Sequence, residues 1–204
     1  MKLALTGKSG IEKSSFINAI RYLKSGDPCF ATASGYGNTT KKATVYEYPG
    51  NKNITLHDLP GFGTTEFPRN EYEKTMALHT YDYIFILVGN IEENDIAIAK
   101  ILKEMDKPFC FVRSTIDIDI ANAKTDGEPE TEAIEKIKSK ALNILWSKGF
   151  KEARFFVFSN HNLNICDFDE LVSYVKINLP ELKCEAVMFS LLGELTDDII
   201  DAKY

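Results

Sequence analysis

The chain has 204 residues, of which 44% are hydrophobic and 26% are charged, and its formal net charge is -6. This size and composition suit one globular domain with a sizeable core, or one domain plus a fragment. The acidic balance argues against sequence-independent binding to DNA or RNA, which depends on Lys and Arg neutralising phosphates. We therefore expect no nucleic-acid partner.

The sequence contains no signal for export or membrane insertion. Met1 and Lys2 lead straight into a short strand-like segment, which does not fit a secretory signal. The longest apolar run, residues 83–88, is far too short to span a bilayer. The cysteines form no C-x-x-C pair, so we expect free thiols in a reducing compartment rather than a metal site; they are Cys29, Cys110, Cys166 and Cys184. These features predict a cytoplasmic protein.

Strand-like and helix-like segments alternate along the chain. Strands are predicted at residues 3–6, 43–48, 53–57, 83–88, 109–113 and 154–158. Amphipathic helices are predicted at residues 14–23, 71–79, 94–105, 132–147 and 168–179. The last three strands are near-continuous β-branched and aromatic runs, as in buried parallel strands. The alternation predicts an α/β fold, with a doubly wound, mostly parallel sheet and helices on both faces.

Two turn-rich segments and a distinct tail interrupt this alternation. Residues 32–40 contain two glycines and many hydroxyl groups, and residues 119–129 contain the turn signal Asp126-Gly127. In the tail, apolar side chains recur on one helical face, which predicts an amphipathic helix at residues 187–201. We therefore assign residues 1–184 to the sheet domain and residues 185–204 to a C-terminal helical segment.

The most informative motif is the segment GKSGIEKS at residues 7–14, which nearly matches the phosphate-binding loop G-x-x-x-x-G-K-[ST]. In such a loop, backbone N–H groups wrap a phosphate, the Lys reaches the β- and γ-phosphates, and the Ser holds Mg²⁺. Glu12 replaces the second Gly, and brings both a Cβ and a negative charge toward the ligand. The predicted nucleotide contacts in this loop are Gly7, Lys8, Ser9, Gly10, Ile11, Glu12, Lys13, Ser14 and Ser15.

Two further loops carry chemistry suited to a γ-phosphate. Asp58-Leu59-Pro60-Gly61 follows a predicted strand, so Asp58 can hold Mg²⁺ or its water and Gly61 can offer its N–H. Thr40 can become ordered on the γ-phosphate through Mg²⁺, and Thr39 is equally suited on chemistry alone. The predicted catalytic residues are Lys13, Thr40 and Gly61. The predicted metal ligands are Ser14, Thr40 and Asp58.

The loops after the last two predicted strands suit a guanine base. Ser114-Thr115-Ile116-Asp117 stands where guanine-specific proteins carry [NT]-K-x-D. The Asp117 carboxylate can accept from the N1 and N2 donors of guanine, which adenine cannot match, while Thr115 replaces the Lys that covers the ring. Ser159-Asn160 takes the usual place of a backbone contact to the base edge. The other interpretation of Asp117 is a helix cap or a solvated acid.

Taken together, these motifs resemble the G domain of the immunity-related GTPase (IRG) family, the interferon-inducible, dynamin-like GTPases. The resemblance runs from Leu3 to about Ile199. Besides the phosphate loop and the 58–61 motif, it includes Phe67-Pro68-Arg69-Asn70, Asn94-Asp95-Ile96, Phe111-Val112-Arg113, Asp126-Gly127-Glu128-Pro129 and Phe158-Ser159-Asn160. The sequence departs from the family pattern at Glu12, at Thr115, and at Asn38 near the switch threonine.

The resemblance implies a Ras-like P-loop fold that binds GTP or GDP with Mg²⁺. By this resemblance Lys13 and Ser14 would contact the phosphates and Mg²⁺, and Thr40 would be the switch threonine. Asp58 and Gly61 would form the second switch, and the residues bordering the base would be Asp117 and Asn160. Family members associate with intracellular membranes, pair through their G domains when GTP-bound, and act in immunity. We expect the same kinds of partner here: a guanine nucleotide, a G domain of the same or a related chain, and an intracellular membrane surface.

Two functions from different classes follow. The first is slow GTP hydrolysis by attack of an oriented water on the γ-phosphate. The second is a pseudo-GTPase, a regulatory or interaction module with weak or no turnover, which Glu12 favours. An ATP-using kinase fits less well, because Asp117 and the 58–61 motif suit a guanine-nucleotide switch.

Overall fold

The computed structural model describes residues 1–31, 43–63 and 67–179, with the backbone alone for Arg69 and Asn70. Thr39, Thr40 and the predicted helix at residues 187–201 lie outside these ranges, as does the predicted boundary between residues 184 and 185. No helix within the described ranges is both long and apolar enough to cross a membrane.

Strands and helices alternate along the described chain. The strands are β1 (Lys2–Gly7), β2 (Thr44–Tyr48), β3 (Asn51–Asp58), β4 (Tyr83–Leu87), β5 (Phe109–Arg113), β6 (Phe155–Ser159) and β7 (Asn162–Cys166). The helices are α1 (Lys13–Ile20), α2 (Arg69–Thr75), α3 (Glu93–Glu104), α4 (Ile116–Thr125), α5 (Glu130–Ser147) and α6 (Phe168–Ile177). A 3₁₀ turn at Leu78–Thr80 follows α2.

In the described part of the chain, the strands form one sheet in the order β2-β3-β1-β4-β5-β6-β7. β1 lies between β3 and β4 and is parallel to both, and the β4–β5 and β5–β6 pairs are also parallel. β2 and β7, at the two edges, are antiparallel to their neighbours. The doubly wound, mostly parallel sheet predicted from the sequence is thus confirmed.

Strand β4 shows why the sheet has two core layers. All five of its residues are buried, and successive side chains point to opposite faces. Tyr83, Phe85 and Leu87 pack in the layer that contains residues of α1 and α6. Ile84 and Ile86 pack in the layer that contains residues of α2, α3 and α5. A run that is apolar at every position is therefore what a central parallel strand requires.

Three local expectations were wrong. The segment predicted as turn-rich from residue 119 is largely helical, because α4 continues to Thr125. Only its Asp126-Gly127 end is a turn, where Gly127 has φ 74° and ends the helix. The single helix predicted at residues 71–79 is instead α2 followed by the 3₁₀ turn, and Ala77 between them has φ 49°. β7 was not predicted, so the strand before Asn160, β6, is not the last strand, and it includes Ser159.

Candidate functional site

The site forms where the strand order reverses around β1. β3 lies on one side of β1 and β4 on the other, which is the arrangement that opens a crevice at the carboxyl ends of parallel strands. The β1–β3 register pairs Leu5 with Asp58, so the 58–61 loop leaves the sheet beside the loop that follows Gly7. The topology therefore brings together the phosphate-loop and Asp58 motifs, which are about 50 residues apart in the chain.

Lys13 occupies the centre of the phosphate loop. Its Nζ lies 3.4 Å from the carbonyl oxygens of Gly7 and Lys8, and 4.0 Å from Oδ1 of Asp58. Only 9% of the side chain is exposed, and this burial lowers the pKa of Lys13, while the charge of Asp58 raises it. All three contacts are long, so the ammonium group can turn toward an anion at the mouth of the loop.

Asp58 is the acidic residue that faces Lys13 in the site. Burial raises the pKa of Asp58, and the nearby charge of Lys13 opposes this shift. Its Oδ1 atom is buried and has no hydrogen-bond partner within the described ranges. A buried carboxylate oxygen without a donor is costly, and it fits the position of a ligand to Mg²⁺ or to its water.

The hydroxyl side chain of Ser14, in the first turn of α1, is half-buried. The described residues contain no group of three or more His, Cys, Asp and Glu that could hold a metal. Mg²⁺ commonly binds through one or two protein oxygens together with substrate phosphates. Ser14 and Asp58, among the described residues, thus fit Mg²⁺ as a companion of nucleotide phosphates.

The backbone of the loop reaches positive φ at three positions. Gly7 has φ 151°, and a Cβ there would lie 2.4 Å from the carbonyl oxygen of Leu87, so β1 and β4 approach too closely for a side chain. Gly10 has φ 79°. Glu12 has φ 60° and ψ 35°, the left-handed conformation that normally favours glycine. It occupies the N-cap position of α1, and its side chain makes no capping bond.

The predicted base-binding residues also come together. The Asn160 N–H donates to the Ser114 carbonyl at 3.0 Å, and Nδ2 of Asn160 donates to Oγ of Ser114 at 3.1 Å. Thr115 and Ser159 form an isolated antiparallel bridge. The segments that follow β5 and end β6 are therefore bonded to each other, immediately before α4 begins at Ile116.

Asp117 lies in the first turn of α4. Thr115, not Asp117, is the N-cap residue, and no side-chain capping bond is present, which removes the helix-cap interpretation. Oδ1 of Asp117 and Oδ1 of Asn160 are both buried without a hydrogen-bond partner in the described part of the chain. This pair of unsatisfied acceptors suits a ligand that offers N–H donors.

Arg113 connects the predicted base-binding residues to the loop after β4. It was not among the predicted site residues. Its Nε and Nη2 donate to the two carboxylate oxygens of Asp119 at 2.9 and 2.7 Å. Its Nη1 donates to the carbonyl of Gly89, in the loop after β4. Such a bidentate pair fixes α4 relative to β5. Arg113 ends the motif Phe111-Val112-Arg113, but nothing in the sequence indicated its bonds to Asp119 and Gly89.

Tyr72 of α2 is a second residue that the sequence did not indicate. Its Oη lies 2.6 Å from the Pro60 carbonyl oxygen and 3.0 Å from Oγ1 of Thr6. The ring packs edge-on against Phe62. Tyr72 therefore links the strand before the phosphate loop to the 58–61 loop.

The outer side of the phosphate loop contacts the start of α3. Lys8 and Glu92 form an ion pair at 3.1 Å, and the Glu92 N–H donates to Oδ2 of Asp95 at 2.8 Å. Asp95 and Glu92 form a capping box. A cavity of about 600 Å³ lies between this helix start, the phosphate loop and Phe62.

Comparison with known proteins places the chain among GTPases. The family model described as "Interferon-inducible GTPase (IIGP)" matches residues 1–204. Interferon-inducible GTPase 1 of Mus musculus is 35% identical over 208 residues, covering 100% of this chain and 50% of the mouse protein. Interferon-gamma-inducible GTPase 10 of Mus musculus is 33% identical over 207 residues, covering 100% and 49%. The chain thus spans about half the length of these curated relatives.

Solved structures agree on the fold. A probable GTP-binding protein engB superposes with a TM-score of 0.52 at 17% identity, covering 87% of this chain and 98% of that one. An S. thermophilus NFeoB mutant bound to GMPPNP gives a TM-score of 0.53 at 16% identity, covering 85% and 60%. These similarities confirm the Ras-like G-domain fold expected from the motifs. Together with the family match over its whole length, they show that the chain belongs to the interferon-inducible GTPase family.

Proposed function

We propose that this chain is a G domain that binds GTP and GDP with Mg²⁺ and hydrolyses GTP slowly. One observation carries the proposal. Three buried acceptor oxygens at the carboxyl edge of the sheet lack hydrogen-bond partners within the described ranges: Oδ1 of Asp58, Oδ1 of Asp117 and Oδ1 of Asn160. Mg²⁺ with a guanine nucleotide would satisfy all three, because the metal suits the first and the base donors suit the other two.

At the phosphate end, Lys13 and the backbone N–H groups of the loop would bind the β- and γ-phosphates. Ser14 and Asp58 would hold Mg²⁺, directly or through water, and Thr40 would complete that set. Bound Mg²⁺ supplies charge neutralisation on the phosphate oxygens. Lys13 would offset the negative charge that grows as an oriented water attacks the γ-phosphate, and the Gly61 N–H would hold that phosphate in place.

At the base end, Asp117 would accept from the N1 and N2 donors of guanine. Adenine has an acceptor at N1 and no N2 amino group, so it would leave the buried carboxylate unsatisfied. A site that loses such bonds discriminates by thousands-fold or more. Because Thr115 replaces the Lys that covers the ring, we expect a preference of roughly hundreds-fold for GDP over ADP.

Calorimetric titration with GDP, GTP and ADP in the presence of Mg²⁺ tests this function. Asp117→Asn should remove most of the preference for GDP over ADP. Asp126→Asn serves as the matched control, since Asp126 is exposed at the other end of the same helix and its substitution should change nothing. Equal affinity of the wild-type protein for ADP and GDP would refute the assignment of Asp117 to the base.

A second candidate function has an observation of its own. Glu12 holds a left-handed conformation and carries a carboxylate within the phosphate loop. Both features oppose phosphate binding, and they favour a pseudo-GTPase that acts as an interaction module. Phosphate release from GTP decides between the two, because a pseudo-GTPase would turn GTP over weakly or not at all, whether or not it binds the nucleotide.

The family membership suggests the process, the protein partner and the cellular location. We propose that the chain acts in cell-autonomous immunity, that its G domain pairs with a G domain of the same or a related chain, and that it works in the cytoplasm at intracellular membranes. The support is the family membership of the chain. A flotation assay with liposomes, with and without GTP, would test the membrane association.

A further inference from the structure

A second cavity lies at the opposite end of the sheet from the candidate nucleotide site. Its volume is about 410 Å³, and it is bordered by the segments just before β5 and β6 and by the last turns of α3 and α6. β5 and β6 are parallel, and the predicted base-binding residues follow their carboxyl ends. The cavity therefore lies at the amino ends of these strands and is separate from the site already described.

The charge of this cavity is opposite in sign to that of the whole chain. Three lysines from separate segments line it: Lys103 in the last turn of α3, Lys107 before β5 and Lys151 before β6. Glu152 is the one acid among its described lining residues. Within residues 1–31, 43–63 and 67–179, none of the three lysines pairs with a carboxylate. In a chain of net charge -6, this is a local excess of positive charge.

The ammonium group of Lys107 is held in place before any ligand arrives. Its Nζ donates to the carbonyl oxygens of His79 at 2.5 Å and Tyr81 at 2.9 Å. An ammonium group has three N–H donors, so these two bonds leave one for a ligand. Nζ of Lys103 lies 3.4 Å from the Gly149 carbonyl oxygen, which is a long contact. A cation that is already positioned loses little conformational freedom when an anion binds.

Aromatic rings form the apolar part of the same lining. They belong to Phe109, Phe150 and Tyr174, and the first two pack edge-on with ring centroids 6.4 Å apart. Nζ of Lys103 lies 5.5 Å from the centroid of the Phe150 ring, so charge and aromatic surface are adjacent. Sites for small molecules typically combine apolar and aromatic walls with a few polar groups, in cavities of about 300–1,000 Å³.

We propose that this cavity binds an aromatic ring that carries a phosphate group. A phosphate ester has a charge of about −1.5 to −2 and three strong acceptor oxygens, which matches three lysines better than a single carboxylate does. The phosphate would contact Lys103, Lys107 and Lys151, and the ring would pack against Phe150 and Tyr174. A free aryl phosphate and a phosphotyrosine side chain offer this same chemistry. The proposal is independent of nucleotide binding at the other end of the sheet.

The experiment titrates the isotope-labelled full chain with phenyl phosphate and follows the backbone amides by NMR. We expect saturable shifts at residues 103–107 and 149–153. Lys107→Gln and Lys103→Gln should each weaken binding about 10-fold, the effect of one charge-assisted hydrogen bond. Lys140→Gln is the matched control, since it makes the same change of charge at an exposed lysine outside this cavity, and affinity should stay unchanged. If Lys107→Gln does not fold, Lys103→Gln and the exposed Lys151→Gln decide.

Two further titrations test the ring and the source of the ligand. Inorganic phosphate lacks the ring and should bind more weakly, and equal affinity would refute the role of Phe150 and Tyr174. A short phosphotyrosine peptide that binds more tightly than phenyl phosphate would support a protein source, and equal binding would support a free compound. Absence of saturable binding, shifts confined to the phosphate loop at residues 7–15, or unchanged affinity in the cavity variants would overturn the proposal.

Discussion

Glu12 concentrates two different costs at one position of the phosphate loop. Its backbone adopts φ 60°, which costs a residue with a Cβ about 1–2 kcal/mol relative to the right-handed region. Its carboxylate, at about 4 Å from a phosphate charge, would add about 4 kcal/mol of repulsion at an effective dielectric of 20. Rotation of the side chain toward solvent, and a bound Mg²⁺, would reduce the net electrostatic cost to roughly 1–3 kcal/mol.

Glu12→Gly is therefore expected to tighten GDP binding by about 5- to 150-fold, because it removes the charge. Relief of the backbone cost should also stabilise the free protein by about 1 kcal/mol. Calorimetry measures the first effect, and urea unfolding without nucleotide measures the second.

Glu12→Gln separates the two costs, since it removes the charge but keeps the Cβ. It should recover most of the gain in affinity and none of the gain in stability. If Glu12→Gly changes GDP affinity by less than twofold, Glu12 does not oppose the ligand, and the pseudo-GTPase alternative loses its main support.

At the scale of elements, the start of α3 depends on Asp95, which is both part of the capping box and a buried acid. Burial is the main cause that raises the pKa of Asp95 from 3.8 to about 6. The hydrogen bond from the Glu92 backbone lowers it, the charge of Glu92 raises it, and Lys8 lowers it. Between about pH 4 and pH 6, the folded protein therefore keeps a proton that the unfolded chain has released. The stabilisation linked to this proton is complete at low pH and is lost as the pH rises through about 6.

Asp95→Asn should show this linkage. The amide oxygen of Asn can still accept from the Glu92 N–H, but it never carries the buried charge. Relative to wild type, the free energy of unfolding of the variant should rise by roughly 1–3 kcal/mol between pH 4 and pH 7. Urea denaturation at several pH values measures the difference. The control is Glu93→Gln, an exposed acid on the same helix. A difference between Asp95→Asn and wild type that stays constant with pH would contradict the prediction.

The success of sequence-based prediction varied by element, for physical reasons. β5 was predicted with its observed bounds, Phe109–Arg113, because its three central residues are buried and a strand covered on both faces is apolar at nearly every position. α4 was missed because IDIDIANAKT contains acids and Asn that also favour turns, and it buries only Ile116 and Ala123. β7 was missed because the sequence NLNIC lies half-exposed at the sheet edge.

The residues of the candidate site also fall into two groups, those that a sequence motif indicates and those that only the fold brings to the site. The phosphate loop, Asp58 and Asp117 follow a motif with fixed spacing, so the chain itself indicates them. Tyr72 and Arg113 act through partners far away in the chain, namely Thr6 and Gly89. A single sequence carries no spacing signal for such contacts, and only the folded topology reveals them.

For the molecule as a whole, we expect the surroundings of Gly61 to limit the rate of the proposed GTP turnover. The residue after Gly61 is Phe62, which is buried against Tyr72 and cannot orient a water as a glutamine can. We expect GTP hydrolysis at or below the unassisted rate of a small GTPase, roughly 10⁻⁴ to 10⁻³ per second. Phosphate release, followed under single-turnover conditions, measures this rate.

The rate should rise with protein concentration if G domains pair, because a second copy can add groups that one copy lacks. A dilution series tests this. A fast rate that does not depend on concentration would show that a catalytic group within one chain had been overlooked.

The central position of β1 has a consequence for synthesis. Among the described strands, β1 comes first in the chain, but its second neighbour β4 is complete only at Leu87, and β5 and β6 follow later. At about 5–20 residues per second, the ribosome needs roughly 4–16 s to make the intervening segment. During that time the first strand, which carries the phosphate loop, cannot complete its native hydrogen bonds. The nascent chain therefore exposes apolar, unpaired backbone for seconds, and the demand for chaperones should be greatest before residue 87 leaves the ribosome.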